Sequence, residues 1–293
     1  MSEKASHEDV VRIDGTNERL NREAAVLMNL CNRREGLNLP LVLKEPAEQF
    51  VYYSGKTLIG YFELVAAGGP EMEGSGIVHP DHRREGVGRA LIEAVRADCR
   101  ECGRARFLFV CDEAGSAGRP FALAIGAEYQ MSEHLLELDV DRRPASPGGP
   151  LSIREATLDD VDDVIRIGMR GFGEDEEKTE FRRRRTREWL NEPLRVVYVA
   201  EFEGEPVGTA TLFLAPDSTD GFINALAVLP EYQGRGYGRQ ILSEAVGGLI
   251  ARGRERVKIE VQTDNEGALG LYESFGFERS VTYAYYRVDA GEV

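Results

Sequence analysis

Apolar and polar residues alternate along this chain in two rhythms, and the rhythms recur in the same order in each half. Leu20, Ala24, Leu27, Met28 and Cys31 fall on one face of a helix over Asn17 to Arg34. Val51-Tyr52-Tyr53 and Leu58 to Leu64, divided by Ser54-Gly55-Lys56, predict a β-hairpin. Leu91, Val95, Cys99 and Cys102 share a stripe of a helix over Arg89 to Cys102, and Phe107 to Cys111 predicts a buried strand. In the second half a strand over Leu151 to Ala156 precedes Thr157, an N-cap for a helix bearing Val161, Val164, Ile165 and Ile167. Val196 to Phe202 and Pro206 to Leu214 predict a second hairpin, turning at Glu203-Gly204-Glu205. The apolar run Phe222 to Leu229 ends in a glycine-rich turn. Ile241, Leu242, Ala245, Val246, Leu249 and Ile250 make a helix beyond it. Val257 to Gln262 then alternates, which sets Lys258, Glu260 and Gln262 on one face of a strand.

The recurrence is a duplication. Pro80, Gly86, Gly88 and Gly126 match Pro230, Gly236, Gly238 and Gly276 at an offset of 150 residues. Gly60 and Gly208 sit alike in the two hairpins, at an offset of 148. A period this long is a repeated domain; solenoid repeats are far shorter. Asp141 to Pro150 holds three prolines and two glycines and cannot sustain a helix or a sheet ladder, so it reads as a linker. The expected domains are therefore residues 1–140 and 151–293, joined by 141–150. Residues 1–10 are polar and expected to be loose. The first domain is short at its start, so its first strand is expected to be missing or replaced.

Composition narrows the function. Hydrophobic residues make up 42% and charged residues 30% of 293, enough for two cores. A formal net charge of −15 argues against nonspecific nucleic-acid binding. No apolar run is long enough to span a membrane, and the polar start lacks a signal-peptide core, so a cytoplasmic protein is expected. The four cysteines lie in the first half; with no second C-x-x-C pair, Cys99 and Cys102 read as small apolar residues and no metal is expected. Glu174 to Glu177 followed by Arg182 to Arg185 and Arg187 suits the dipole of a solvated helix, with Glu180 and Arg184 one turn apart. The same arginines also admit a role in selecting an acidic substrate.

The chemistry centres on Gln233-Gly234-Arg235-Gly236-Tyr237-Gly238-Arg239. A strand enters this turn and a helix leaves it. Glycines there bring bare backbone close to a ligand, and the amide N–H groups at a helix N-terminus form an anion site. The turn is not a Walker A loop, since Arg239-Gln240 follows the last glycine, and its spacing is not G-x-G-x-x-G. It matches Q/R-x-x-G-x-G/A, preceded by Val228-Leu229-Pro230. Downstream, Asn265, Ala268, Leu271, Tyr272, Gly276 and Phe277 fit N-x-x-A-x-x-L-Y-x-x-x-G-F. The two motifs together resemble the GCN5-related N-acetyltransferases, the GNAT superfamily, over most of Phe222 to Val288.

That resemblance implies an α/β fold: two tandem GNAT-type domains, each a mixed, mostly antiparallel twisted sheet with helices on both faces. It implies acetyl-CoA as cosubstrate, held by its pyrophosphate on the turn, with a primary amine of a small molecule or peptide as acceptor. The cofactor-binding positions it implies are Leu226, Ala227, Val228, Gln233, Gly234, Arg235, Gly236, Tyr237, Gly238, Arg239 and Asn265. In the first half the matching set is Val78, Arg83, Arg84, Gly86, Val87, Gly88 and Arg89. A backbone N–H around Leu226 to Val228 would hold the oxyanion. Asn265 suits the CoA arm and equally an N-cap.

Glu260 through Phe277 especially resembles the ribosomal-protein alanine N-acetyltransferases, in which the matching Glu and Tyr act as base and acid. An ammonium must lose a proton before it attacks a thioester, and the departing sulfur must gain one. Glu260 and Tyr272 are the candidates; a strand carboxylate and a packing tyrosine are the plainer readings of each. No cysteine of the second half offers a nucleophile, so direct transfer in a ternary complex is expected. In the first half the same positions hold Val110, Gly115 and Ala122, and the spacing supports neither Tyr129 nor His134 as a substitute. The first domain is thus expected to keep the turn and lack the chemistry. The tandem layout also resembles mycothiol synthase, and a non-catalytic acyl-CoA sensor is the alternative of a different class. Tyr283, Tyr285 and Tyr286 suit an acceptor cleft or simply a strand.

Overall fold

The computed structural model describes residues 5–14, 17–37, 48–65, 71–145, 148–174, 180–216 and 218–291. The acidic run over 175–177 lies outside them. The chain divides into two compact units, Met1–Glu133 with Val281–Val293, and His134–Ser280.

In the first unit β1 (Val10–Asp14) pairs antiparallel with β2 (Glu48–Ser54), so the first strand is present, contrary to the expectation from the short N-terminal end. Between them runs α1 (Glu18–Glu35), which Asn17 caps through its side chain and Gly36 ends at φ 68°. The sheet continues through β3 (Thr57–Val65) and β4 (Glu73–Val78), both antiparallel steps. Then come α2 (Val87–Glu101), β5 (Arg106–Asp112), α3 (Gly118–Ala124) and β6 (Glu128–Asp139). The α1 stripe packs with Val51, Tyr61 and Ile77, while Phe50, Ile59 and Phe62 pack with α2. Helices therefore cover both faces. Cys99 is in this core, but Cys102 lies just past the end of α2 and is exposed, so the predicted stripe stops one turn early.

In the second unit β7 (Ser152–Glu155), β8 (Arg195–Phe202), β9 (Glu205–Leu214) and β10 (Asp220–Val228) pair antiparallel in sequence order. Glu203 (φ 54°) and Gly204 (φ 88°) give the tight turn that a two-residue hairpin requires. Helices α4 (Val161–Gly171) and α5 (Glu180–Asn191) lie between β7 and β8. Thr157 caps a 3-10 turn, Leu158–Asp160, in a capping box closed by Asp160; α4 follows directly with Asp160 at its own N-cap, so the expected cap lies one turn ahead of the helix it was expected to start. Arg183 ties α5 to Asp162 of α4 at 2.9 Å; Glu180 reaches Arg187 at 3.3 Å, and Arg184 faces Glu188 at 3.9 Å. After β10 come α6 (Tyr237–Ala251), β11 (Arg256–Gln262) and α7 (Glu266–Phe275); the chain then runs into β12 (Glu278–Asp289), which from Val281 on belongs to the first unit. The α6 and α7 side is cored by Ile223, Ile241, Leu249, Ile259 and Phe275, and α4 packs on the other face against Val197, Val199 and Ala227.

The units do not follow the halves of the chain. Tyr283 to Asp289 of β12 pair antiparallel with Asp112 to Arg106 of β5, and Ala284, Tyr286 and Val288 enter the first unit's core. Leu136 and Leu138 of β6 enter the second unit's core. Each unit takes its last strand from the other half, where the repeat placed residues 1–140 and 151–293 in separate domains. The two strands are copies of one pattern, so alternation along either one does not say which sheet it completes. Among the described residues no helix is long and apolar enough to cross a membrane.

Candidate functional site

The second unit's sheet forks. β10 and β11 pair in parallel only from Asp220–Arg256 to Ile223–Ile259. β10 keeps its register with β9 to Asn224, bulges with Ala225 at φ 50°, and resumes at Ala227 and Val228. A bulge turns a strand away from its neighbour and leaves ladder groups unspent. Along Asn224 to Val228 the edge that faced β11 carries no ladder with it. The oxyanion candidates Leu226, Ala227 and Val228 lie on this stretch. The bulge lies inside the run Phe222 to Leu229, which is apolar except for Asn224.

The turn beyond is braced from within. Gln233 donates through Nε2 to the Val228 carbonyl at 2.9 Å, tying the turn to the end of β10. Arg235 donates to the Glu231 carbonyl at 3.0 Å and lies over the Tyr232 ring. Gly234 and Gly236 have φ of 74° and 82°, where L side chains are strained, and nothing stands within 4 Å of a β-carbon built on either. Gly236 begins α6 with no side-chain cap, so the first amide N–H groups of that helix have neither an intrahelical partner nor a capping side chain. Tyr237 is buried under the turn beside Phe202. A β-carbon on Gly238 would lie 3.3 Å from Leu271, so α6 and α7 approach closely. Arg239 donates to the Ser274 hydroxyl and carbonyl at 3.0 and 3.2 Å. The side chains of Gln233, Arg235 and Arg239 thus bond within the protein and brace the turn from inside.

Glu260 is the first residue of β11 past its last pair with β10. It is exposed, on the face opposite Ile259 and Val261. Two residues earlier on the same face, Lys258 pairs with Asp220 at 2.8 Å. Asn224, also exposed, stands on the β10 side of the fork, on the face away from core residue Ile223; its signal in the sequence is that it is the polar residue within the otherwise apolar run Phe222 to Leu229. Tyr272 is buried in the core that also holds Val228, Ile259 and Val261. Among the described residues its hydroxyl makes no hydrogen bond, and burial pushes its phenol up to about 12. The fold therefore sets Glu260 and Tyr272 on opposite faces of the forked sheet. Asn265 caps α7, its Oδ1 accepting from the Ala268 amide at 3.1 Å.

The first unit repeats the fork and the turn without counterparts of Glu260 and Tyr272. β4 and β5 pair in parallel only at Glu73–Leu108 and Gly74–Phe109. Arg83 donates to the Val78 carbonyl at 3.3 Å, as Gln233 does to Val228, and also pairs with Glu35. Arg84 keeps a left-handed φ of 68° where the second copy has Gly234, and Gly86 has φ 98°. Val87 is buried, Arg89 is exposed, and Gly88 faces the Phe121 ring. Ala122 is fully buried at the Tyr272 position. Tyr129 bonds Ser132 and packs on Tyr286. Tyr283, Tyr285 and Tyr286 are buried, and Tyr285 donates to Glu133 at 2.9 Å, so these are interior strand residues.

Family comparisons agree on both halves. The Acetyltransferase (GNAT) family model matches residues 161–277, and the Acetyltransferase (GNAT) domain model matches residues 45–121. A mycothiol acetyltransferase of Clavibacter sepedonicus is 28% identical over 76% of this chain and 75% of its own. One from Streptomyces bingchenggensis is 28% identical over 96% of this chain and 92% of its own. In fold, the chain resembles a GCN5-related N-acetyltransferase from Sphaerobacter thermophilus, with TM-score 0.74, 19% identity and 96% of each chain covered. It also resembles a tandem GNAT protein from the clavulanic acid biosynthesis pathway, with TM-score 0.73, 18% identity, and 97% of this chain and 99% of that one covered. With a fork, a glycine turn and a family match in each half, the chain is a tandem member of the GNAT family of acetyl-CoA-dependent acetyltransferases.

Proposed function

We propose that the second unit performs the transfer, moving an acetyl group from acetyl-CoA directly to the primary amine of a small molecule. The observation that carries this reading is the fork at Asn224 and Glu260, which opens beside an uncapped helix N-terminus. The main-chain N–H groups of Gly234 to Gly238 hold the diphosphate, with the bare faces of Gly234 and Gly236 admitting it. The unladdered edge of Leu226 to Val228 supplies an N–H to the thioester oxygen as negative charge develops there. Glu260, directly or through a water, takes a proton from the acceptor ammonium. The freed amine forms the C–N bond as the C–S bond breaks; Tyr272 gives its phenolic proton to the leaving sulfur, and the acylated nitrogen sheds its surplus proton to water, from which the phenolate is reprotonated. A phenol held up near 12 stays protonated at neutral pH, as a proton donor must. Asn265 is assigned to the cap of α7, which positions Tyr272.

The relatives' name suggests where to look for the acceptor: small molecules of the mycothiol type come first. Turnover is followed by mass spectrometry of acetylated product over a panel of amines and peptides. The parent should acetylate at least one small amine, and Glu260→Gln with Tyr272→Phe should lower the rate by about 10²-fold or more. Full turnover in the double variant would refute the acid and base roles.

A further inference from the structure

The two turns differ in what lies against them. On the second unit's turn, the space around the β-carbon position of Gly236 is empty to 4 Å. On the first unit's turn, the same position of Gly86 meets Ala5: its β-carbon and carbonyl oxygen at 3.7 Å and its amide nitrogen at 3.8 Å. Ala5 also packs on the core formed by Val87, Leu91 and Phe109. The short 3-10 turn that follows, His7–Asp9, lies against α2, the helix that leaves Gly86. It is a closed structure. Ser6 N–H donates to the Asp9 carboxylate at 3.2 Å, Glu8 N–H to the Ser6 hydroxyl at 3.3 Å, and Asp9 N–H to the Ser6 carbonyl at 3.2 Å. Tyr52 of β2 donates to the same Asp9 carboxylate at 3.3 Å, fixing the segment to the sheet.

The bare face of a glycine in such a turn is where backbone admits a ligand. We propose that the first unit's turn is a self-occupied site, in which Ala5 to Asp9 stand where the second unit's turn receives a diphosphate. The full chain then takes up one acyl-CoA, and displacing the segment uncovers a second site for the same ligand class. Retention of the left-handed Arg84 agrees with this: the turn keeps the shape of its copy although a glycine is gone. The inference rests on the reading of the second unit's turn as the acyl-CoA site.

Hydrogen exchange separates the two claims. In the full chain, acetyl-CoA should slow exchange in residues 233–240 and leave 83–90 unchanged, with a calorimetric stoichiometry of one. Removing residues up to Asp9 should raise the stoichiometry to two, and adding Gly88→Glu should return it to one. A milder pair, Ser6→Ala with Asp9→Ala, should speed ligand-free exchange of 83–90 by about tenfold even if the deletion does not fold. Ligand protection of both turns in the full chain would overturn the self-occupied site alone. Protection of neither would overturn the acyl-CoA reading; the self-occupied turn would still be supported by faster ligand-free exchange in the pair variant, and refuted by unchanged exchange.

Discussion

At Tyr272 the observed packing and the proposed chemistry fall on one position. It is buried beside Phe277, and its raised pKa has burial as its whole cause. Below about pH 10, the ordinary phenol value, it is protonated in folded and unfolded chains alike. Its share of stability is present there and lost as pH rises through about 12. Tyr272→Phe should therefore lower kcat by about 10²-fold without shifting the acid limb of the pH–rate profile. A shifted acid limb would instead place Tyr272 in the base's environment. Gly236 is the complementary case. Its β-carbon position is empty, so Gly236→Ala tests backbone conformation alone. The left-handed φ should cost about 1 kcal/mol in a denaturant melt, with weaker acetyl-CoA binding on top.

Among elements, the contact between α6 and β9 fixes where the turn sits. A β-carbon on Gly208 would collide with Ile241, and in the first unit one on Gly60 would lie 2.6 Å from Val87. The matched hairpin glycines of the repeat are explained by this: each lets the helix after the turn lie directly on the sheet. Gly208→Val should destabilise by about 1–3 kcal/mol through overpacking and lower acetyl-CoA affinity as α6 shifts. At the start of α4, Arg154 holds Asp160 through two bonds of 2.7 and 2.8 Å, and the Thr157 amide adds a third at 2.7 Å. Arg154 first, with Thr157 assisting against a burial penalty, keeps the Asp160 carboxyl well below the usual range. A depressed carboxyl contributes stability that is complete above its unfolded value of about 3.9 and is lost as pH falls toward the folded value. Urea midpoints of the parent and Asp160→Asn should differ at pH 7 and converge as pH drops below about 4.

At the level of the whole molecule, exchange of the last strands makes each unit depend on the far end of the other half. A chain ending at Ser280 lacks Ala284, Tyr286 and Val288, which belong to the first unit's core. Limited proteolysis should then cut first between residues 5 and 133 and spare 134–280. Cleavage confined to 151–280 would refute the assignment of β12.

The elements themselves were legible in the sequence, because helix and strand periods, the Asn17 and Thr157 caps and the turn glycines act over a few residues. The duplication and the glycine turn were legible too, and with them the family. Tertiary structure alone decided three things. It decided which sheet each final strand completes, since both copies carry the same alternation. It decided where β10 leaves β11, since one polar residue, Asn224, in the run Phe222 to Leu229 does not by itself announce the bulge at Ala225. It also decided that Ala5 rests on Gly86, since a contact across about 80 residues of chain leaves no periodic trace in either segment.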